Sequence, residues 1–133
     1  MRMRLMTWCG IAGLGVLVAS AHPSNADMRM WVGIEDLKRH TCPSDTCGIV
    51  GRFFFQESVR VFETADGWSR VSNYKSAACF DGTSIYVESG PSDCSTGNGI
   101  SQGRFAEWVK SQYLVSEHPR EPLQGDEAAS REG

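Results

Sequence analysis

The stretch that most constrains the fold is Glu107-Trp108-Val109-Lys110-Ser111-Gln112-Tyr113-Leu114, in which Trp108, Lys110 and Gln112 alternate with Val109 and Ser111. A period of two places successive side chains on opposite faces, as in a strand with one buried side. The same period runs through Ser58-Val59-Arg60-Val61-Phe62-Glu63 and returns in Trp68-Ser69-Arg70-Val71-Ser72. Ala65-Asp66-Gly67 links those two runs with a tight-turn signal, because Asp-Gly tolerates the positive φ angles of a two-residue hairpin loop. The sequence carries no heptad, internal repeat or amphipathic helical pattern. These features predict a small all-β domain, closed by the run 107–114.

The first residues belong to something else. Arg2 and Arg4 form a positive head, residues 8–21 are apolar and uncharged, and small residues follow at Ala19-Ser20-Ala21 and Ser24-Asn25-Ala26. That order marks a secretory signal peptide over residues 1–26, cleaved after Ala26 or alternatively after Ala21. The apolar stretch is shorter than the roughly 20 residues that cross a bilayer. Cys9 precedes most of it, unlike the cysteine of a lipoprotein. The expected product is periplasmic or secreted, with no stable membrane insertion after cleavage. Losing Arg2 and Arg4 shifts the formal charge from −3 to −5. An acidic chain has no electrostatic attraction to nucleic acid or anionic lipid.

Four cysteines remain after cleavage: Cys42, Cys47, Cys79 and Cys94. An even number in a small exported domain reads as a disulfide framework. Of the three possible connectivities, chain order favours Cys42–Cys47 with Cys79–Cys94. Pro43-Ser44-Asp45 supplies turn formers inside the first pair, and the second pair would staple a Gly-, Ser- and Asp-rich stretch. Zinc sites draw on C-x2-C spacing or paired histidines. Only His40 lies near a cysteine pair, so neither a metal nor another cofactor is expected.

Met28-Arg29-Met30-Trp31-Val32-Gly33-Ile34 reads as a first extended segment, and residues 36–47 as a polar loop or irregular hairpin. Gly48-Ile49-Val50-Gly51 is a short strand, and Phe53-Phe54-Phe55 extends its apolar signal. Residues 73–105 change character. They hold both later cysteines and turn glycines at positions 82, 90, 97, 99 and 103, and only residues 84–87 are strand-like. They read as an inserted hairpin or long stapled loop. Residues 116–133 hold scattered charge and little large apolar side chain beyond Leu123, the composition of a disordered tail.

In order along the chain, Cys42-Pro43-Ser44, Gly48-Ile49-Val50-Gly51, Val59-Arg60-Val61, Gly67-Trp68-Ser69-Arg70-Val71 and Trp108-Val109-Lys110-Ser111-Gln112-Tyr113-Leu114 resemble the bacterial SH3-like (SH3b) domain. Its pattern is a Pro-Ser turn, a V-I-G strand, a G-W-x-x-V strand and a closing W-V-x-x-x-Y-L. The resemblance spans about residues 31–115. It implies a bent barrel of about five strands, here within a domain of residues 27–115, and recognition of cell-wall (peptidoglycan) peptide or a protein partner through loops at one end. Three departures stand out. Leu37-Lys38-Arg39-His40 replaces the usual apolar residue beside an arginine, more than thirty residues separate the last two motifs, and the cysteine pairs are not general in the family.

Aromatic side chains on short strands fill cores as readily as they bind ligands. Trp68 and Tyr113 are expected in the core, and Trp108 in the core or at a ligand. Tyr74, Phe80 and Tyr86 lie in or beside the insertion. They are candidate interface anchors, or else a small core around Cys79–Cys94. No catalytic residue is expected. The thiols are better explained as bridges, His118 lies in the tail, and carboxylates such as Glu57, Glu63, Asp66, Asp81 and Glu88 are spread along turns. A non-enzymatic binding module is the leading expectation. The alternative is a disulfide-stapled inhibitor or accessory factor of a host or envelope enzyme, acting through a loop within residues 81–99.

Overall fold

The computed structural model describes residues 28–124, together with Gly13 and Gly15. Apart from those two glycines, the expected signal peptide lies outside the described residues, as do positions 125–133. The chain runs through β1 (Met28–Val32), β2 (Leu37–His40), β3 (Ile49–Phe53), β4 (Ser58–Val61), β5 (Glu63–Ala65), β6 (Trp68–Arg70), β7 (Lys75–Ser76), β8 (Cys79–Phe80), β9 (Thr83–Ser84), β10 (Arg104–Phe105), β11 (Trp108–Lys110) and β12 (Leu114–Val115). Two short 3-10 turns, Thr96–Asn98 and Ser111–Tyr113, interrupt them. The small all-β domain read from the sequence is what the structure shows.

Its strands form a five-stranded antiparallel sheet, β3-β2-β11-β6-β5, and a three-stranded sheet, β12-β1-β4. The ladders do not join into one closed ring. Both sheets contribute to one core of Val32, Leu37, Val59, Val61, Val109 and Leu114, with Met30, Ile34, Phe53, Val71 and Tyr113 packed against it. The hairpin between β5 and β6 turns at Asp66 (φ 51°) and Gly67 (φ 84°). Two consecutive positive φ angles match the turn that Asp-Gly favours.

Three expectations need correction. The 107–114 run is not one strand. It leaves the five-stranded sheet after Lys110, where Ser111 N–H donates to Gly67 O at 2.8 Å and the Ser111 and Ser69 hydroxyls meet at 2.7 Å. The turn that follows sends Leu114 into the other sheet, opposite Val32. Residues 58–63 likewise split: β4 pairs with β1, whereas β5 pairs with β6. Residues 36–47 contain a genuine strand, β2. Leu37 is buried in the core and His40 against Trp68, three residues apart, so burial in β2 does not show a period of two; the β2–β3 register shifts beside His40, where Val50 of β3 is left unpaired.

Residues 116–124 of the expected tail are described and touch the domain. Leu123 N–H donates to Gly33 O at 2.8 Å, Gln56 Nε2 donates to Pro119 O at 2.9 Å, and His118 meets the Trp31 ring edge-on at 6.3 Å. Gly33 leaves no room for a Cβ beneath the Leu123 side chain. One apolar residue and a few backbone bonds therefore hold residues 116–124 against the domain.

Candidate functional site

Cys42–Cys47 and Cys79–Cys94 are both bridged, five and fifteen residues apart. This is the pairing that chain order favours, and it suits an oxidising, exported environment. The insertion begins and ends beside the five-stranded sheet: Val71 N–H donates to Glu107 O at 2.9 Å, and Glu107 N–H donates to the Ser72 hydroxyl at 2.8 Å. Inside it, β7 pairs with β10 and β8 pairs with β9. The strand signal of residues 84–87 ends at Ser84, whose hydroxyl donates to Ala77 O at 2.6 Å. Ala77, Ile100 and Phe105 form a second core with Val50 and Cys94.

Asn98 ties this insertion to the first disulfide loop. Its buried Oδ1 accepts from Gly48 N–H at 2.8 Å and from the Thr41 hydroxyl at 3.1 Å. Its Nδ2 donates to Pro91 O at 2.8 Å and Asp93 O at 3.1 Å. The approach is close enough that a Cβ on Gly48 would strike Pro91 O, and one on Gly99 would strike Thr41 O. Ile49 N–H also donates to Ser89 O at 2.9 Å, so the insertion covers the outer edge of β3. The stapled segment is thus a docked, rigid element.

The sequence candidates separate on this frame. Phe80 and Tyr86 are 71% and 49% exposed, with Ile85 between them in sequence at 69%. Tyr86 leans on Phe105 at 6.2 Å between centroids. Phe80 precedes the Asp81-Gly82 turn, where both φ angles are positive. The small core under the second bridge is therefore built from other residues, and these side chains stay outside it. Tyr74 is exposed too, but Arg70 stacks on it at 5.0 Å while also lying 5.1 Å from Phe62. Trp108 leaves the candidate set. It is 7% exposed, because its strand is paired on both sides, with β2 and with β6. Trp68 is buried as well, against the edge of His40 at 5.3 Å.

A second feature was not foreseen. A cleft of about 240 Å³ opens between β2, the first disulfide loop and the end of β11, lined by Ile34, Asp36, Leu37, Lys38, His40, Asp45, Lys110 and Tyr113. Its buried floor includes Leu37 and His40. The His40 Nδ1 lies 3.0 Å from Cys47 O and must donate, since a carbonyl only accepts. Lys110 Nζ sits 3.1 Å from Asp45 and 5.9 Å above the Trp68 ring. Asp36 is paired with Arg52 at 3.2 Å.

Behind the cleft, Arg39 pairs with the buried Glu107 at 2.8 Å, and Lys75 reaches the other Glu107 oxygen at 3.1 Å. The Arg39 guanidinium lies over the Phe53 ring at 4.8 Å, in the space that a side chain at Gly51 would fill. This is a structural triad. Among the described residues, no three His, Cys, Asp or Glu side chains gather as a metal site. No helix of the described residues is long and apolar enough to cross a membrane. Compared with family models, curated proteins and solved structures, the chain matches none.

Proposed function

We propose that this chain is an exported, non-enzymatic, SH3-like binding module that engages a protein partner through its stapled insertion. The observation that carries the reading is the exposure of Phe80, Ile85 and Tyr86 on an element fixed by Cys79–Cys94 and by four hydrogen bonds of Asn98. Large apolar side chains on a rigid support lose little conformational freedom on binding, which is the usual make-up of interface anchors. The bridged thiols and the engaged His40 Nδ1 support a non-enzymatic role. The disulfides support export, and the sequence of residues 1–26 supports the signal-peptide route.

A second reading, an inhibitor of an envelope or host enzyme, is favoured by Phe80 standing beside a hairpin tip that a cleft could receive. Photo-crosslinking tests the shared surface. A crosslinker at position 85 or 86 should yield one discrete protein adduct from envelope material, and a crosslinker at the exposed Thr64 of β5 should not. The triple variant Phe80→Ala, Ile85→Ala, Tyr86→Ala should lose the partner and keep its melting temperature. Equal adducts from position 64, or undiminished retention of the triple variant by the partner, would refute the insertion as recognition element. Sedimentation with purified peptidoglycan separates the cell-wall form of the family's function from the protein form.

A further inference from the structure

We propose that the outer face of the β8–β9 hairpin is a docking site for an arginine side chain of the partner, its guanidinium lying over the Phe80 ring and pairing with Asp93. The assignment rests on the reading above and names the partner's chemistry at that same surface.

The register defines the face. Phe80 lies opposite Thr83 in the β8–β9 ladder, and Thr83 lies opposite Asp93 in an isolated antiparallel bridge. Ser84 N–H donates to Ser92 O at 2.7 Å and Cys94 N–H donates to Gly82 O at 2.8 Å, so these bonds flank the Thr83–Asp93 pair. Residues directly opposite in an antiparallel ladder share a face, and side chains approach most closely in a pair of this kind. Phe80, Thr83 and Asp93 therefore form one row across three extended segments, and all three are exposed. The next residue of β9, Ser84, belongs to the opposite face. It is buried, with its hydroxyl on Ala77 O. The Asp81-Gly82 turn adds a second exposed carboxylate residue beside Phe80.

Charge selects the occupant. Residues 76–103 contain Asp81, Glu88 and Asp93 and no Lys, Arg or His. Among the described residues, neither Asp81 nor Asp93 pairs with a cation, and no cation lies over Phe80. The Ser95 hydroxyl donates to Asp93 Oδ2, and an ionised carboxylate keeps further acceptor positions.

Elsewhere the same chain shows what a ring and a carboxylate hold between them. Arg39 lies 4.8 Å from the Phe53 ring and pairs with Glu107 at 2.8 Å. Arg70 lies 5.1 Å from Phe62 and pairs with Glu63 at 3.1 Å. Lys75, 5.5 Å from Phe105, and Lys110, 5.9 Å from Trp68, also have carboxylate partners. The arginines approach their rings more closely, as a planar and weakly hydrated guanidinium allows. Phe80 and Asp93 supply a ring and a carboxylate on an exposed face, so the cation is the partner's. Ile85 and Tyr86, exposed just beyond β9, suit apolar neighbours of that arginine.

Amide-resolved NMR titration with N-acetyl-Leu-Arg-Leu-amide, and with citrulline or lysine in place of the arginine, tests the assignment on the protein alone. The arginine probe should shift the amides of Phe80, Thr83 and Asp93 saturably. The citrulline probe, similar in shape but uncharged, should bind about tenfold more weakly, the combined scale of an exposed cation–π contact and an exposed ion pair. The lysine probe should fall between them. The double variant Asp81→Asn, Asp93→Asn should keep its melting temperature and lose most of the arginine preference. Asparagine tolerates the positive φ at position 81 and retains an acceptor for Ser95. Equal binding of the arginine and citrulline probes at these amides would overturn the arginine site and leave an apolar anchor. So would a preference that survives in the double variant, a lysine probe that matches arginine, or no shift at these amides. Shifts of the same amides with protein concentration alone would make a second copy the occupant, which also overturns the assignment. Crosslinking from positions 85 and 86 judges the wider reading separately.

Discussion

Replacing Asn98 tests whether the insertion is held as the structure indicates. Asn98→Ala removes four hydrogen bonds, to Gly48 N–H, the Thr41 hydroxyl, Pro91 O and Asp93 O. At about 0.5–1.5 kcal/mol net each they amount to roughly 2–6 kcal/mol, and the Gly48 N–H is left buried without an acceptor. A loss near 4 kcal/mol is large against the roughly 5–15 kcal/mol that holds a domain of this size. It corresponds to a fall in Tm of roughly 15–25 °C. Asn98→Asp sharpens the test because it is isosteric. It keeps acceptors for Gly48 and Thr41 but turns a carboxylate oxygen toward the carbonyls of Pro91 and Asp93, so it should cost at least as much as alanine. Thermal unfolding gives the magnitude. Hydrogen exchange gives the location: the Gly48 and Ile49 amides should lose protection, and Val109 should keep most of it while the two-sheet core persists. An Asn98→Asp protein within about 1 kcal/mol of the parent, or an unchanged Gly48 exchange rate, would refute the reasoning.

Replacing Cys79 and Cys94 together by Ala should cost about 3 kcal/mol on the loop-entropy model for a fifteen-residue separation. Peptide-level hydrogen exchange should show the loss concentrated in residues 77–100. Gly51→Ala should lower the unfolding free energy measured in urea by about 1–3 kcal/mol, because the new methyl displaces the Arg39 guanidinium from its place beside Glu107. A double-mutant cycle with Glu107→Gln should show the two effects as strongly non-additive. Leu123→Ala should cost about 1 kcal/mol in chemical unfolding, consistent with a half-buried leucine on Gly33.

Strand identity was legible where the local pattern was free to follow burial. Val59 and Val61 alternate because β4 has one wet face, and Asp66-Gly67 marks the β5–β6 hairpin because backbone conformation there is set by those two residues. The cysteine pairing was legible because both bridges close locally in sequence. Legibility failed where a non-local contact reset the parity. His40 of β2 is buried against Trp68, beside the one-residue register shift on β3, and the turn at Ser111 is set by Gly67 and Ser69, some forty residues earlier. Among the candidate residues, Phe80 and Tyr86 were singled out by their place in the insertion and are exposed there, whereas Trp108, read as core or ligand, is buried because its strand is paired on both sides. Asn98 left a faint signal: an Asn-Gly pair inside a polar stretch reads as a turn, and only the fold reveals that its amide satisfies four partners. The cleft left none, since β2, the first disulfide loop and the end of β11 meet only in the fold.

The first disulfide loop connects these features. A bridge across five residues removes less chain entropy than the second one, about 2 kcal/mol against about 3 on the same model, so stability alone explains it less well. Geometry explains it better. On one side of the loop, Thr41 and Gly48 receive Asn98 and fix the insertion; on another, Asp45 meets Lys110 and shapes the cleft. The Cys47 carbonyl between them orients His40 at the cleft floor. Opening this one short loop would disturb both candidate surfaces while leaving the core of Val32, Val59, Val109 and Leu114 assembled. The bridge is therefore best understood as a fixture for the insertion and the cleft, and the two sheets beneath as the scaffold that brings its ends together.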